Sequence, residues 1–334
     1  MSTHSVNVIE IEKVLPHGNA ERLEIVPIGG WQAVVRKGEF KPGDRAIYIE
    51  PDYVVPTALP EFSFLHKPER DTHRLKAVRL RGTLSYGLLI PVPERLKERP
   101  VGSNVMEDLG VVRYEPPIKT MKLQASDALA ESDWPQLYAP KFDVENLQKF
   151  PGVFEPGEPV IATEKLDGGN ARFVFHAGQM YLGSRGQWLK NDGEHMWKRA
   201  FDATLGIEAW CRAHPNIILV GEVYGWVQSL RYGARQREVW FAAFAALDHG
   251  QWVNLHTLYD SLDAHRVPSA RIVYEGPYDL DAIRAVAEGD SKHSAEPGHM
   301  MEGVVITPDI ERTHPDIGRV CLKLISNRFW ESEA

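Results

Sequence analysis

The chain has 334 residues, which is longer than most single domains, so we expect two domains. Hydrophobic residues make up 43% of it, enough for packed cores, and this excludes a mostly disordered protein. The formal net charge of −8 argues against a nucleic-acid partner for the chain as a whole. Residues 1–120, however, carry 17 Lys and Arg against 16 Asp and Glu, whereas the remainder carries 21 against 30, so local basic patches would have to do any such binding.

The chain has two cysteines, Cys211 and Cys321, and no C-x-x-C pair, which excludes a disulfide framework and a structural zinc site. No apolar run approaches the length of a membrane span, and residues 1–6 lack the charged and apolar regions of an export signal. We therefore expect a cytoplasmic protein without a membrane partner, and we take it to be a monomer.

Residues 6–93 predict short β-strands joined by turns. Gly29-Gly30 between two apolar runs indicates a hairpin, and Arg81-Gly82 indicates another turn. The predicted strands are residues 6–12, 23–28, 31–35, 44–50, 73–80 and 85–90. Such a series with little helix favours a small β-barrel, with the OB-fold as the favoured type, although a β-sandwich would give a similar pattern.

Residues 114–159 contain seven prolines and an acidic stretch at 126–133, which predicts a linker along the surface of the second domain. From residue 160, strands and helices mix. Strands are predicted at 161–166, 171–176, 180–183, 217–223, 239–247, 304–307 and 319–325, and helices at 194–214 and 279–288. The fold class is therefore α+β, with domains at 1–120 and 121–334.

The best local signal for chemistry is Glu164-Lys165-Leu166-Asp167-Gly168, at the end of a predicted strand. A strand fixes the amine of Lys165, and a following glycine lets the backbone pass close to a ligand. A neutral amine is needed to attack a phosphorus atom, so we expect nearby cations or burial to lower the pKa of Lys165. Alone, a K-x-D-G sequence is weak evidence, because a surface lysine in a turn fits it as well.

Further elements follow in a fixed order after this lysine. They are Ser184-Arg185-Gly186, Gly221-Glu222-Val223-Tyr224-Gly225, the aromatic strand at 241–248, Met301-Glu302-Gly303 and Arg319-Val320-Cys321-Leu322-Lys323. With the lysine motif, this series resembles the covalent nucleotidyltransferase superfamily of RNA ligases, DNA ligases and mRNA capping enzymes, over residues 160–325. Six elements in family order are highly specific where one is not.

Within the superfamily, the chain resembles the Deinococcus-type RNA ligases, which carry an amino-terminal OB domain. Asn170 follows Lys165 at the spacing of nick-sealing RNA ligases. Residues 6–93 resemble that OB domain through Gly30-Trp31, Lys37-Gly38-Glu39-Phe40, Tyr48-Ile49-Glu50-Pro51-Asp52 and residues 79–89. The sequence ends shortly after Lys323, so the carboxy-terminal OB domain of DNA ligases is not expected.

The resemblance implies roles in nucleotide binding for several residues. Lys165 forms the phosphoramidate with AMP, and the Glu164 backbone contacts adenine while its side chain faces solvent. Arg185 pairs with phosphate, Glu222 accepts hydrogen bonds from the ribose, and Phe244 stacks on adenine, whereas Phe241 packs in the core. Surface positions for Arg185 and Glu222, and a core position for Phe244, fit the sequence as well.

The same resemblance assigns the metal and the broken strand. Glu302 binds a divalent metal through a carboxylate oxygen, directly or through water, and Lys323 contacts the α-phosphate. Asn170 engages the 5′-phosphate of the broken strand, although an asparagine in a hairpin turn would look the same. Many relatives have a second lysine two residues after the equivalent of Lys323, which helps to release pyrophosphate. This chain has Ile325 there, so Lys190, Arg319 or Arg328 would have to supply that charge.

The resemblance therefore predicts an ATP-dependent RNA ligase that uses Mg²⁺ or Mn²⁺. It would seal 3′-OH/5′-phosphate nicks in duplexes with an RNA 3′-OH strand, through AMP on Lys165 and then an adenylylated 5′ end. ATP is favoured over NAD⁺ because no extra nicotinamide-binding segment precedes the motifs. The alternative is a nucleic-acid-binding protein with an inactive nucleotidyltransferase domain. An mRNA capping enzyme is disfavoured, because capping enzymes carry their OB domain at the carboxy terminus.

RNA, or an RNA-containing nicked duplex, is the expected partner. Arg74, Lys76, Arg79 and Arg81 follow one another along a predicted strand of the amino-terminal domain. Such a basic strand could contact a nucleic-acid backbone, and we assign Arg79 and Arg81 to substrate binding. A charged edge strand that prevents aggregation would show the same pattern.

Overall fold

The computed structural model describes residues 4–114 and 125–332. The chain divides into two compact units. We call residues 2–116, 146–152 and 327–334 the amino-terminal unit, and residues 117–145 and 153–326 the carboxy-terminal unit. The predicted boundary between residues 120 and 121 lies outside the described residues. No helix in the described part of the chain is long and apolar enough to cross a membrane.

The amino-terminal unit consists mainly of short antiparallel strands. They are β1 (Asn7–Glu10), β2 (Leu15–Pro16), β3 (Leu23–Ile28), β4 (Trp31–Arg36), β5 (Arg45–Ile49), β6 (Tyr53–Pro56), β7 (Thr72–Arg74), β8 (Ala77–Leu80), β9 (Thr83–Tyr86), β10 (Leu88–Pro91) and β11 (Val112–Arg113). Short 3₁₀ helices at Pro60–Leu65 and Glu94–Leu96 and the helix Asn327–Ser332 complete it. The strand orders are β1-β5-β10, β2-β3-β4 and β11-β6-β7, with β8 and β9 as a hairpin, around a core that includes Ile47, Val55 and Phe62.

Glycines set the turns and corners of this unit. Gly29 is left-handed (φ 56°) in the two-residue turn between β3 and β4, as the sequence predicts. Gly87 is also left-handed (φ 71°), and a Cβ there would overlap the Ile49 carbonyl oxygen. The predicted strand 85–90 therefore breaks at Gly87, since β9 pairs with β8 and β10 pairs with β5. The predicted strand 73–80 also breaks, because β7 pairs with β6 whereas β8 pairs with β9.

Residues 146–152 belong to the amino-terminal unit although they follow the predicted linker. Gly30 N donates to the Gln148 carbonyl oxygen (2.9 Å), and Gln148 Nε2 donates to the Gly30 carbonyl oxygen (3.2 Å). A Cβ at Gly30 would lie 2.8 Å from Gln148 Cα, so this contact needs a glycine. Lys149 Nζ also lies 3.3 Å from Glu50. The expectation that all of residues 114–159 lie along the second domain is therefore wrong for this segment.

The carboxy-terminal unit contains two antiparallel sheets flanked by helices. Its strands are β12 (Glu145–Asn146), β13 (Pro159–Lys165), β14 (Gly169–His176), β15 (Gln179–Ser184), β16 (Trp188–Leu189), β17 (Ile218–Gly225), β18 (Val239–Asp248), β19 (Gln251–Trp252), β20 (Ile272–Pro277), β21 (Gly303–Pro308), β22 (Thr313–His314), β23 (Gly318–Arg319) and β24 (Leu322–Ile325). Its helices are α1 (Met196–Ala203), α2 (Gly206–Ala213), α3 (Leu255–Ala264) and α4 (Leu280–Ala287), with 3₁₀ helices at Ala125–Asp127 and Glu131–Asp133. The 3₁₀ helix Leu147–Lys149 belongs to the amino-terminal unit. The larger sheet has the order β16-β15-β14-β17-β18-β19, and the second has the order β12-β24-β21-β13-β20, while β22 and β23 pair with each other.

The two faces of the larger sheet are covered differently. Helices α1, α2 and α3 pack on one face, around Phe173, Trp210 and Phe241. On the opposite face, the apolar residues of the sheet contact the segment 125–145 through residues such as Phe142. Because side chains alternate along a strand, this second face also carries the polar side chains of β14 and β17 discussed below.

The predicted helix 194–214 is in fact two helices. α1 ends at Ala203 and α2 begins at Gly206, with Leu205 90% exposed between them. A Cβ at Gly206 would overlap the His265 carbonyl oxygen, so the start of α2 packs against the end of α3 only with glycine there. The predicted helix 279–288 is confirmed as α4, and the Asp279 side chain caps its first turn. The sequence analysis did not anticipate α3 or β20.

Candidate active site

Lys165 is the last residue of β13, and carboxylates surround its amine. Lys165 Nζ donates to Glu302 Oε1 at 2.6 Å, and Glu302 directly precedes β21, the neighbour of β13. Burial lowers the pKa of Lys165, but the negative charges of Glu302, Glu222 and Asp167 together outweigh burial and raise it above its ordinary value. The expectation of a lowered pKa is therefore wrong for the protein alone. Lys165 rests as an ammonium ion.

Two glutamates beside Lys165 occupy surroundings that disfavour their charge. Burial raises the pKa of Glu222 to about 8 and that of Glu302 to about 7, while the charge of Lys165 opposes both shifts. Arg185 also lowers the pKa of Glu222, and Lys323 lowers that of Glu302. Both predicted phosphate-binding cations therefore lie close enough to act on this cluster.

The cluster suits a further cation. Glu302 Oε2 is buried and has no hydrogen-bond partner in the described part of the chain, although Oε1 is bonded to Lys165. A single buried carboxylate oxygen of this kind fits one ligand position of a divalent metal ion. Within residues 4–114 and 125–332, no three His, Cys, Asp or Glu side chains are grouped to hold a metal. Such an ion would therefore take water or phosphate oxygens as its other ligands.

The turn after Lys165 is fastened to the loop between β17 and β18. Asp167 N donates to the Tyr232 hydroxyl at 2.7 Å. Asp167 Oδ2 accepts hydrogen bonds from Ser229 Oγ at 2.9 Å and from Leu230 N at 2.8 Å. Three hydrogen bonds within two residues of Lys165 fix the direction in which β13 presents its amine.

Gly168 is required by packing within the protein. A Cβ at Gly168 would overlap the Val223 carbonyl oxygen, and one at the neighbouring Gly169 would overlap the Met196 methyl group. The glycine lets the turn after Lys165 lie directly on β17. The expected approach of the backbone to a ligand stays a prediction.

Glu164 does not face solvent, contrary to the expectation from the sequence. Its side chain is 2% exposed, and its carboxylate accepts hydrogen bonds from Ser291 Oγ and from Lys292 N (2.6 Å). Burial raises the pKa of Glu164, although these hydrogen bonds oppose the shift. Since side chains alternate along β13, Lys165 on one face puts Glu164 on the other, where the loop 290–301 covers it.

The loop 290–301, which leads into β21, is held by two histidines as well. His293 Nε2 accepts a hydrogen bond from Arg271 N at 3.0 Å, and burial lowers the pKa of His293 to about 4. His299 Nε2 accepts from Tyr232 N at 3.2 Å, and their rings stack with centroids 5.1 Å apart. The loop before Glu302 and the loop that fastens Asp167 therefore hold each other in place.

Asn170 and Lys323 lie on strands that flank this cluster. Asn170 on β14 is directly opposite Glu222 on β17. Its Oδ1 is buried without a hydrogen-bond partner among the described residues. Lys323 on β24 is opposite Val305 on β21. The structure thus brings Lys165, Arg185, Glu222, Glu302, Lys323 and Asn170 together.

Phe244, which was predicted to stack on adenine, contacts another aromatic ring in the structure. Its ring packs against Phe142 of the segment 125–145, with centroids 4.8 Å apart, and Phe142 in turn meets Trp252 at 5.6 Å. Phe142 therefore contacts the side chain that would have to stack on adenine. Phe241 lies in the core as expected, 1% exposed and edge-on to Phe173.

One proposed substitute for the missing second lysine is wrong. Arg319 Nε donates to Glu311 at 3.0 Å, and its guanidinium lies 4.3 Å from the centre of the Trp252 ring. Its charge is thus already compensated within the protein. Ile325 is buried, at 8% exposure, and closes β24 opposite Gly303. The side chain of Lys190 is exposed, and Arg328 belongs to the amino-terminal unit.

The predicted basic strand of the amino-terminal unit is not continuous. Arg74 on β7 forms an ion pair with Asp52 at 2.6 Å, and Arg79 on β8 forms one with Glu331. Both guanidinium groups are therefore engaged within the unit. Arg81 lies in the β8–β9 turn, where its own backbone is left-handed (φ 49°) and its side chain is exposed. Of these three arginines, Arg81 is therefore in the most suitable position to contact the backbone of a nucleic acid.

Several residues that hold the surroundings of Lys165 and Phe244 in place were not predicted from the sequence. Tyr232, Ser291, His293 and Phe142 belong to no recognised motif and contact the site across long stretches of chain. The one available signal was composition: the segments 226–238 and 290–301 are rich in polar residues next to motif strands. Such a composition indicates a loop but does not predict which residues the loop contacts.

Comparisons with known protein families agree with this architecture. A family model described as RNA ligase matches residues 158–325, and one described as an OB-fold domain matches residues 5–92. Among curated proteins, none matches the chain.

Solved structures of Naegleria gruberi RNA ligase are similar to the whole chain. A mutant with ATP and Mn has a TM-score of 0.83 at 24% identity, over 98% of this chain and 99% of that one. A mutant with AMP and Mn has a TM-score of 0.83 at 23% identity, over 98% of both chains. An apo mutant has 0.82 at 25%, over 98% and 97%. The predicted fold class, α+β with an OB-fold barrel followed by a ligase-type adenylyltransferase domain, is confirmed, and so is the resemblance to RNA ligases.

Proposed function

The chain belongs to the RNA ligase family, and on this basis we propose that it is an ATP-dependent ligase that carries AMP covalently on Lys165. The observation that supports this most is the cluster at the end of β13. Lys165 Nζ lies 2.6 Å from Glu302, Glu222 stands beside them, and Arg185 and Lys323 act on the two glutamates. An amine, metal-binding carboxylates and phosphate-binding cations are the groups that nucleotidyl transfer requires.

ATP and a divalent metal fit this cluster. The solved structures of the Naegleria ligase contain ATP or AMP with Mn, and Mg²⁺ would suit the same oxygen ligands. Glu302 would hold the ion through its unpaired Oε2, and the ion would supply positive charge against the phosphate oxygens. Arg185 and Lys323 would bind phosphate, Glu222 the ribose and Phe244 the adenine ring beside the Glu164 backbone.

Transfer to the enzyme begins at Lys165. Its amine must first lose a proton, and the nearest acceptor is Glu302 Oε1 at 2.6 Å. The neutral amine then attacks the α-phosphorus of ATP, so that a nitrogen–phosphorus bond forms while the bond between the α-phosphorus and its bridging oxygen breaks. Pyrophosphate leaves with that oxygen. Lys323 would stabilise the charge that develops on the α-phosphate.

Two further transfers join the strand. An oxygen of the 5′-phosphate at the break attacks the phosphorus of the Lys165 adduct, the nitrogen–phosphorus bond breaks, and the lysine regains a proton. The neighbouring 3′-OH then attacks the 5′-phosphorus, loses its proton, and releases AMP as the phosphodiester forms. Asn170, whose Oδ1 has no partner among the described residues, lies opposite Glu222 and would orient the strand end.

We infer that the substrate is a nick in a duplex whose 3′-OH strand is RNA. A template holds both ends in register and removes the entropy of finding them. A duplex with an RNA strand is A-like and offers 2′-hydroxyls that a protein can read without sequence contacts. The amino-terminal unit, with its OB-fold and exposed Arg81, would engage that RNA. We keep a cytoplasmic location and a monomeric state as part of this proposal.

Label transfer tests the nucleotide chemistry directly. The protein is incubated with a divalent metal and α-labelled ATP or GTP, and covalently bound label is counted. The proposal expects labelling by ATP and little by GTP. Labelling by GTP alone would point to capping chemistry, and no labelling by either would favour a nucleic-acid-binding protein with an inactive domain.

A panel of nicked duplexes tests the substrate. RNA or DNA is placed on each side of the break, and untemplated single strands are included. The proposal expects efficient sealing only with a ribonucleotide at the 3′-OH end and less demand on the 5′-phosphate strand. Equal sealing of a DNA 3′-OH end, or faster joining of untemplated strands, would contradict it.

A further inference from the structure

Residues 226–238, the loop between β17 and β18, form what we call the arginine loop. It carries Arg231, Arg235 and Arg237 within seven residues. Arg235 and Arg237 are exposed, and Arg231 is half-buried. None of the three guanidinium groups forms an ion pair in the described part of the chain. The domain around them is acidic, since residues 121–334 carry 21 Lys and Arg against 30 Asp and Glu.

Elsewhere in the same unit, arginines are commonly neutralised by a glutamate. Arg212 pairs with Glu208 at 2.7 Å, and Arg312 pairs with Glu158 at 2.7 Å. A loop whose three arginines form no ion pair within residues 4–114 and 125–332 therefore stands out. Because the whole chain is negatively charged, a polyanion would have to bind at a local basic patch, and this loop is such a patch.

The arginine loop is fastened next to the nucleophile. Leu230, the residue before Arg231, donates its N–H to Asp167 Oδ2 at 2.8 Å, and Asp167 lies two residues after Lys165. The loop starts where β17 ends, three residues after Glu222. One end of the loop therefore lies next to Lys165, whereas Arg237, near its other end, lines a cleft with Asp192, Glu194 and Asp202.

The loop holds its shape before any ligand arrives. Tyr232 and Arg237 both have left-handed backbones, with φ of 54° and 67°. Such conformations are strained and persist only where the surroundings fix them. Glu238 Oε2 accepts from Arg235 N at 2.9 Å, and the guanidinium of Arg231 stacks 3.3 Å from the centre of the Trp226 ring. Preformed positions lower the entropic cost of binding.

We propose that the arginine loop binds the phosphodiester backbone of the nucleic acid beside the break, a proposal that rests on the ligase function proposed above. Guanidinium groups recognise phosphate through paired N–H donors, and two exposed arginines in close succession suit an extended polyanion. The phosphates of ATP are assigned above to Arg185 and Lys323, which act on the glutamates beside Lys165. The loop thus places phosphate-binding groups in the ligase domain itself, in addition to the OB-fold.

The test measures binding of a nicked duplex by fluorescence anisotropy, from about 0.05 to about 0.3 M salt, without ATP. The R235A/R237A variant is compared with the wild-type protein. Arg231 is left in place because its stacking on Trp226 could support the fold. Two lost phosphate contacts should reduce the slope of log affinity against log salt by about 1.8, which is about 60-fold in affinity at 0.1 M salt.

Two controls accompany this variant. R235K/R237K keeps both charges and should bind within about fivefold of the wild type, since lysine still attracts phosphate as a point charge. R212A removes an exposed arginine that is paired with Glu208 on α2, and it should leave the salt dependence unchanged. Formation of the covalent AMP adduct, measured in parallel, should be the same for all four proteins because it needs no nucleic acid.

The two readouts separate this inference from the proposed function. An unchanged salt slope in R235A/R237A, or an equal loss in R212A, would overturn the inference. So would a loss of ATP labelling with intact duplex binding, which would assign the arginines to ATP. If the wild-type protein takes no label from ATP, the proposed ligase function fails, while the binding slope still decides whether the loop contacts nucleic acid.

Discussion

Lowering the pH should destabilise the carboxy-terminal unit through His293. Burial, helped by the charge of Arg271, lowers the pKa of this imidazole from 6.5 to about 4. His293 Nε2 accepts from Arg271 N, and Nδ1 lies 3.2 Å from the Tyr224 hydroxyl, so a proton on Nε2 would break the first of these bonds. Between these two pKa values, His293 therefore binds a proton in the unfolded chain but not in the folded chain. Stability should be full above pH 6.5, fall as the pH drops through this window, and level off below about pH 4.

The size of the effect follows from the two pKa values of His293. Their separation, 6.5 against about 4, corresponds to about 3 kcal/mol in full, of which about 2 kcal/mol is lost by pH 5. Urea unfolding, followed by tryptophan fluorescence at about pH 7 and about pH 5, measures this loss. The His293→Gln variant keeps an acceptor for Arg271 N and does not titrate, so its loss should be smaller by about 2 kcal/mol.

A refutation would come from the same comparison. If wild type and His293→Gln lost equal stability between the two pH values, His293 would not be a buried neutral acceptor. A wild-type protein that became more stable at pH 5 would reverse the sign of the argument. Either result would also remove the reason for expecting the loop 290–301 to loosen in acid.

Three further substitutions probe the supports of the nucleophile. Glu164→Ala leaves the Ser291 and Lys292 donors without their acceptor, so unfolding should be easier by about 1–3 kcal/mol in urea titrations, and Glu164→Gln should recover part of it. Tyr232→Phe removes the acceptor of Asp167 N and should slow AMP-adduct formation about tenfold at saturating ATP, with little change in KM for ATP in single-turnover label transfer. Asn170→Ala should reduce adenylylation of a 5′-phosphate nick more than formation of the Lys165 adduct, as quantified on denaturing gels.

Much of the site was predictable because it is encoded by short motifs in a fixed order. Lys165, Glu222, Glu302 and Lys323 each stand at a strand end or within a strand, and a motif plus a strand prediction places them correctly along the chain. Their convergence was inferred from the resemblance, not from the residues alone. The structure shows the geometry that makes the convergence work, with Glu302 reaching Lys165 across 137 positions of sequence.

The charge state of Lys165 was not predictable from the motif. A lowered pKa was expected because an attacking amine must be neutral. The pKa of Lys165 in the folded protein, however, depends on which charged side chains the fold brings near it. Three carboxylates, Asp167, Glu222 and Glu302, arrive from different segments, and their sum outweighs burial. The sequence around residue 165 therefore does not predict how these charges together change the pKa of Lys165.

The sequence also did not predict what covers each face of a strand or where a predicted strand breaks. Alternation along β13 says that Glu164 and Lys165 face opposite ways, but it does not say that the loop 290–301 covers the Glu164 side. The strand 85–90 broke because Gly87 passes close to Ile49, a contact between distant residues. Arg79 looked available for RNA because its partner, Glu331, lies 252 positions away.

The covalent adduct itself is the most direct test of the account. The wild-type protein is incubated with ATP and Mg²⁺ or Mn²⁺ without nucleic acid, digested, and the modified peptide is located by mass spectrometry. The account predicts AMP on Lys165, and a Lys165→Ala protein that takes no label yet still seals a nick already adenylylated at its 5′ end. AMP on another residue, or undiminished labelling of Lys165→Ala, would contradict it.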